Sequence, residues 1–128
     1  MDNQPQTKKQ SISLIARRAP YGSGAARQTL DIAFAAAVFE RPLNYIFLGD
    51  GVYQLLSKQD PEAIQNKPHG AALETLELYG IDEVYVHRNS LIQRALSEDE
   101  LVLVCKVTLI DDCTLKELVA ESIHVINL

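Results

Sequence analysis

The sequence predicts an α/β protein: one three-layer domain on a five-stranded, mainly parallel sheet. Short apolar runs alternate with helix-patterned segments from Ser11 onward, which is the order of repeated β-α units. The connections are short, and parallel neighbours need crossovers, which are right-handed and lay helices over both sheet faces. The length of 128 residues suits one core, and 47% hydrophobic with 23% charged residues is a globular balance.

Residues 1–10 are polar, with little to bury, and read as a disordered tail, leaving 11–128 as the domain. Ile12 to Ala16 is a first strand that runs into the loop Arg17-Arg18-Ala19-Pro20-Tyr21-Gly22. Ser23 is placed to cap a helix from about Gly24 to Phe39, which Pro42 ends. On it Ala26, Leu30, Ala33, Phe34, Ala37 and Val38 keep the spacing of one buried face, which Ile32, Ala36 and Phe39 widen. So wide an apolar surface on a helix that also covers a sheet points to a second neighbour, another helix or another subunit.

Leu43 to Leu48 is a second strand, turned by Gly49-Asp50-Gly51 into a short helix carrying Val52, Tyr53, Leu55 and Leu56. Between Pro61 and Tyr79 the pattern is less regular, but Ala72, Leu73, Leu76 and Tyr79 fit a helix stopped by Gly80. Val84 to Val86 forms a third strand, and His87 to Ser90 leads into a short helix with Leu91, Ile92 and Ala95. Leu101 to Val104 is expected as a fourth strand continuing toward Leu109. Asp111 to Glu121 follows as a helix with its acids at the favourable end, and Ile123 to Ile126 as a fifth strand.

The formal charge of −5 speaks against broad, direct binding to a nucleic-acid backbone. Arg17 and Arg18 nevertheless form a local basic pair able to touch an acidic partner. No signal-like apolar segment follows Met1 and no run is long enough to cross a bilayer, so a cytoplasmic protein without a membrane role is expected. The sequence suggests no cofactor. Cys105 and Cys113 are too sparse to make a zinc site without converging histidines.

In parallel sheets ligands gather beyond the carboxyl ends of the strands, so the loops after the first three strands hold the candidate residues. Gly22-Ser23-Gly24 can cradle an anion, but it lacks the lysine and spacing of a P-loop; a tight turn capped by Ser23 is the stronger reading. Asp50, between Gly49 and Gly51, can orient a substrate, yet with no second acid beside it, satisfying turn N–H groups or meeting a neighbouring subunit is the better account. Tyr53 adds a hydroxyl or simple aromatic area. His87, at a strand end, is the best lone acid-base candidate, weighed against an ordinary solvated loop histidine because no nucleophile lies near it in sequence. Cys113 stands near a helix start, where the dipole favours a thiolate, but Asp111 and Asp112 oppose that charge; Cys105 follows an apolar run and reads as packed. No residue stands out as catalytic.

The segments Arg18-Ala19-Pro20-Tyr21-Gly22 and Phe47-Leu48-Gly49-Asp50-Gly51-Val52-Tyr53-Gln54-Leu55 resemble the TusC/DsrF branch of the DsrE-like sulfur-relay family. Leu78-Tyr79-Gly80-Ile81, Val84-Tyr85-Val86 and Ser90-Leu91 continue the likeness, which covers nearly all of 11–128. The resemblance implies a hetero-oligomer with TusD/DsrE-like and TusB/DsrH-like partners, a heterohexamer with two copies of each, through which sulfur donor and acceptor proteins work. It also implies that the persulfide sits on a cysteine of the TusD/DsrE-like subunit, where the third strand meets the next helix. Here that junction reads Val86-His87-Arg88-Asn89 and has no thiol. A noncatalytic subunit follows, either for 2-thiolation of the tRNA wobble uridine or for sulfur oxidation; a persulfide carrier using Cys105 or Cys113 is the alternative.

Overall fold

The computed structural model describes residues 11–19, 24–56, 76–101 and 106–128. Five strands, β1 (Ile12–Ala16), β2 (Leu43–Phe47), β3 (Glu83–His87), β4 (Lys106–Ile110) and β5 (His124–Asn127), form one sheet in the order β4-β3-β2-β1-β5. Every pairing is parallel. The helices are α1 (Ala25–Val38), α2 (Arg88–Gln93) and α3 (Asp112–Ala120), and 3-10 segments span Gly49–Leu55, Leu76–Tyr79 and Glu98–Glu100.

From β1 to β4 the chain steps outward across the sheet; it then returns to pair β5 with the free side of β1. Right-handed crossovers running in opposite directions place their helices on opposite faces. Leu30 and Ala33 of α1 accordingly pack with Leu14, Ala16, Tyr45, Phe47, Val84 and Val86 on one face. Leu115, Leu118 and Val119 of α3 pack with Ile15, Ile46 and Ile110 on the other. The alternation along each strand divides the two cores. The first is the larger, and α3 has no buried residue of its own.

Several expectations need correction. The cap position of α1 falls on Gly24, which makes no side-chain cap bond, and Ser23 lies outside the described residues. The fourth strand is described over Lys106–Ile110, as its expected continuation toward Leu109 required; residues 102–105 lie outside the described residues, and Leu101 makes an isolated antiparallel bridge with Leu56. An apolar run alone does not specify register, and the strand lies where Val107 and Leu109 face the larger core. On α1 the buried side chains are Ala26, Thr29, Leu30, Ala33 and Ala36, whereas Val38 and Phe39 are 65% and 76% exposed. The expected tail, Tyr21, Gly22, Cys105, and the predicted helix before Leu76 lie outside the described residues.

Gly51 fixes the approach of the 3-10 segment Gly49–Leu55 to β1. A Cβ there would lie 1.9 Å from the Ala16 carbonyl oxygen, which only glycine avoids. Helix α1 ends in a Schellman motif: Glu40 N–H donates to Ala37 O at 2.9 Å and Arg41 N–H to Ala36 O at 2.9 Å. Glu40 takes the left-handed position, with φ of 55°.

Candidate functional site

The carboxyl ends of β2 and β3 bring Gly49, Asp50, Tyr53, His87, Ser90, Arg94 and Asp112 into two linked groups. Gly49 turns the chain with φ of 58° and donates its N–H to Ser90 Oγ at 2.8 Å. His87 Nδ1 lies 2.7 Å from the same oxygen, and His87 Nε2 lies 2.5 Å from Asp112 Oδ1. In the neutral imidazole a consistent assignment has Ser90 O–H donating to Nδ1 and Nε2–H donating to the carboxylate. The link to Asp112 follows from register: His87 pairs with Ile110, so the start of α3 stands directly beyond the imidazole.

His87 is thus not the solvated loop residue weighed from sequence. Its side chain is 15% exposed and both ring nitrogens are engaged. An acid-base role would require one of those bonds to open, and Ser90, at 3% exposure, is not presented as a nucleophile. The imidazole joins the end of β3 to the first turn of α3.

Asp50 also departs from its expected role. Its Oδ1 accepts from Arg94 Nη2 at 2.9 Å and Nε at 3.1 Å instead of from turn N–H groups. Arg94 Nη1 donates to Ser90 O at 3.2 Å, and its guanidinium lies 6.0 Å from the Tyr53 ring centroid. A planar cation thereby couples the Gly49–Leu55 segment to α2 through a carboxylate, a carbonyl and an aromatic face. Arg94 is the residue that sequence reasoning missed as a site member; its helical spacing from Ser90, which closes the loop after the third strand, was the available signal.

Each residue of the Asp50-Gly51-Val52-Tyr53-Gln54-Leu55 motif now has a physical task. Asp50 and Tyr53 hold Arg94, and Gly51 permits contact with β1. Val52 and Leu55 enter the core, and buried Gln54 donates from Nε2 to Arg18 O at 2.8 Å. The motif is an assembly of packing and positioning contacts.

Cys113 is a free, exposed thiol at the second position of α3. Its neighbour Asp111 caps that helix by accepting from Thr114 N–H at 2.8 Å. Hydrogen bonding from the Thr114 backbone, then its side chain, holds the Asp111 carboxyl below the ordinary carboxylate range, with Arg88 adding a smaller attraction. Among the described residues no group of three or more His, Cys, Asp or Glu side chains is placed to hold a metal. No described helix is long and apolar enough to cross a membrane.

An open parallel sheet of this order, with its motif at the β2 and β3 ends, defines a class that the sequence comparisons identify. Residues 10–128 match the model of the DsrE/DsrF-like family, and the chain belongs to it, in its TusC/DsrF branch. A relative called protein TusC homolog, from Pseudomonas aeruginosa, is 39% identical over 119 residues, covering 93% of this chain and 98% of its own. The intracellular sulfur oxidation protein DsrF of Allochromatium vinosum is 35% identical over 118 residues, covering 83% of this chain and 87% of its own. The crystal structure of the ychN protein from E. coli superposes with a TM-score of 0.76 at 24% identity, covering 93% of this chain and 99% of that one, and shares the fold.

Proposed function

We propose that the chain is a structural, TusC-like subunit of a sulfurtransferase complex that relays persulfide sulfur for 2-thiolation of the tRNA wobble uridine. The observation that carries this reading is the β3–α2 junction, where His87 is tied to Ser90 and Asp112 and no thiol is present. Imidazole cannot accept sulfane sulfur as a thiolate does, so the relay step falls to a TusD-like partner. The likeness to the TusC homologs supports the same assignment.

Exposed Val38, Phe39 and Leu78 supply apolar area for contact with TusD-like and TusB-like subunits in a heterohexamer with two copies of each. Gly49, Asp50, Gly51 and Tyr53 hold in shape a second loop surface, at the carboxyl ends of the strands. Cytoplasmic location accords with this role. Co-expression with both partners should yield one stable complex whose sulfur transfer survives replacement of Cys105 and Cys113 by serine and is lost when the TusD-like cysteine is replaced. Recovery of this chain as a monomer in the presence of both partners would refute the reading.

Two further readings have support of their own. Similarity to DsrF favours a DsrEFH-like complex in sulfur oxidation, and transfer to a sulfur-oxidation acceptor with none to the tRNA-thiolation machinery would select it. The exposure of Cys113 favours a persulfide carrier in its own right. Mass spectrometry after treatment with a persulfide donor decides, since an unmodified Cys105 and Cys113 exclude that role.

A further inference from the structure

We propose that the cleft between β1 and β5 is an oxyanion site that takes a phosphate-class group, free or carried on a larger molecule. In the order β4-β3-β2-β1-β5 the chain reverses its direction across the sheet between β1 and β5. Crossovers on opposite faces leave a crevice at the carboxyl ends of such a strand pair, where open α/β sheets bind ligands. That crevice is present here, with a volume of about 610 Å³, lined by Arg17, Arg18, Gly24, Ala25, Gln28, Asn127 and Leu128. The size lies within the range of small-ligand clefts, roughly 300–1,000 Å³.

The lining chooses the ligand's charge. The chain carries 17 acids against 12 lysines and arginines, yet the described lining has two arginines and no Asp or Glu. Arg17 is steadied by Asn127, whose Oδ1 accepts from Nη1 at 3.5 Å, and its backbone N–H donates to Leu128 O at 3.1 Å. The Arg18 carbonyl is held by the buried Gln54 amide, which sets where the second arginine leaves the backbone. The amide of Gln28 adds a neutral donor. Guanidinium groups match tetrahedral oxyanions through paired N–H donors. The amino-terminal end of the 14-residue helix α1 reinforces the same sign of potential.

The cleft shares only Gly24 with the glycine turn weighed for an anion site from sequence, rests on Arg17 and Arg18 instead, and does not include His87. His87 is engaged at the end of β3, and β2 and β1 separate it from the cleft.

Titration of the full chain with inorganic phosphate and thiosulfate at constant ionic strength, followed by calorimetry and by backbone amide shifts, tests the site. Saturable binding is expected, with the shifts centred on Arg17, Arg18, Gly24 and Gln28. Arg17→Ala combined with Arg18→Ala should weaken binding by at least about tenfold. Arg41→Ala, which removes one positive charge at the other end of α1, should leave it unchanged. Adenosine 5′-monophosphate binding more tightly than phosphate would assign the group to a larger molecule, and equal affinity would assign a free anion; either supports the site. Absence of saturable binding by every oxyanion, or unchanged affinity in the double arginine variant, overturns the proposal. The amide shifts of the unsubstituted chain keep the test independent of how the variants fold.

Discussion

Single side chains here do work that their chemistry alone would not suggest. Tyr45 is fully buried, stacks on Phe47 with 4.5 Å between ring centroids, and has a hydroxyl without a hydrogen-bond partner among the described residues. Burial drives its ionisation well above the ordinary tyrosine range. An unsatisfied buried hydroxyl costs about 1–3 kcal/mol, so Tyr45→Phe should raise stability by about 1 kcal/mol in urea unfolding. Gly51 has the opposite tolerance. Its added Cβ would meet backbone, which cannot swing aside, and Gly51→Ala should cost at least about 2 kcal/mol in the same measurement. His87 was legible as a strand-end histidine and Ser90 as its neighbour three residues on. Asp112 was not, because only the parallel register of β3 and β4 brings it to the imidazole.

At the scale of elements, helix ends carry the clearest consequences. Glu40 occupies a left-handed position that costs a non-glycine residue roughly 1–2 kcal/mol, and its side chain is exposed. Glu40→Gly should therefore stabilise the chain by about 1 kcal/mol, seen as a higher denaturation midpoint with an unchanged slope. At the start of α3, the bonds from Thr114 lower the Asp111 ionisation below its ordinary value of 3.8. A depressed folded value contributes stability above the unfolded value, and that contribution disappears as pH falls through the folded one. The stability difference between the unsubstituted chain and Asp111→Ala should be largest near neutrality and close toward acid pH, measured by denaturation across that range. Strand and helix types were readable from periodicity and from Pro42, Gly49 and Gly80. The antiparallel bridge of Leu101 to Leu56 was not, since it joins two segments far apart in the chain.

Across the whole molecule, the linked polar groups and the exposed side chains around the end of α1 lie at opposite ends of the sheet. The β2 and β3 carboxyl ends carry the linked Asp50–Arg94 and Ser90–His87–Asp112 groups, whereas Val38 and Phe39 stand exposed at the far end of α1. Leu78 is exposed beside Tyr79, which stacks on Phe34 of α1. If this end meets the relay partners, Phe39→Asp together with Leu78→Asp should reduce recovery of the complex in co-purification. The stability of the isolated chain should change little, because neither side chain contributes to the core.

The alternation of apolar runs with helical periodicity already required a parallel α/β sheet, because local propensity and crossover sterics leave few other arrangements. The absence of a thiol after Val86 was equally plain in the linear sequence. Strand order and register were not, for they depend on which strands share a core across long separations in the chain. Those two features tie His87 to Asp112, set Asp50 on Arg94 rather than on its own turn, and open the arginine-lined cleft between β1 and β5. Local residue patterns specify elements; long-range pairing specifies which polar groups meet at their ends.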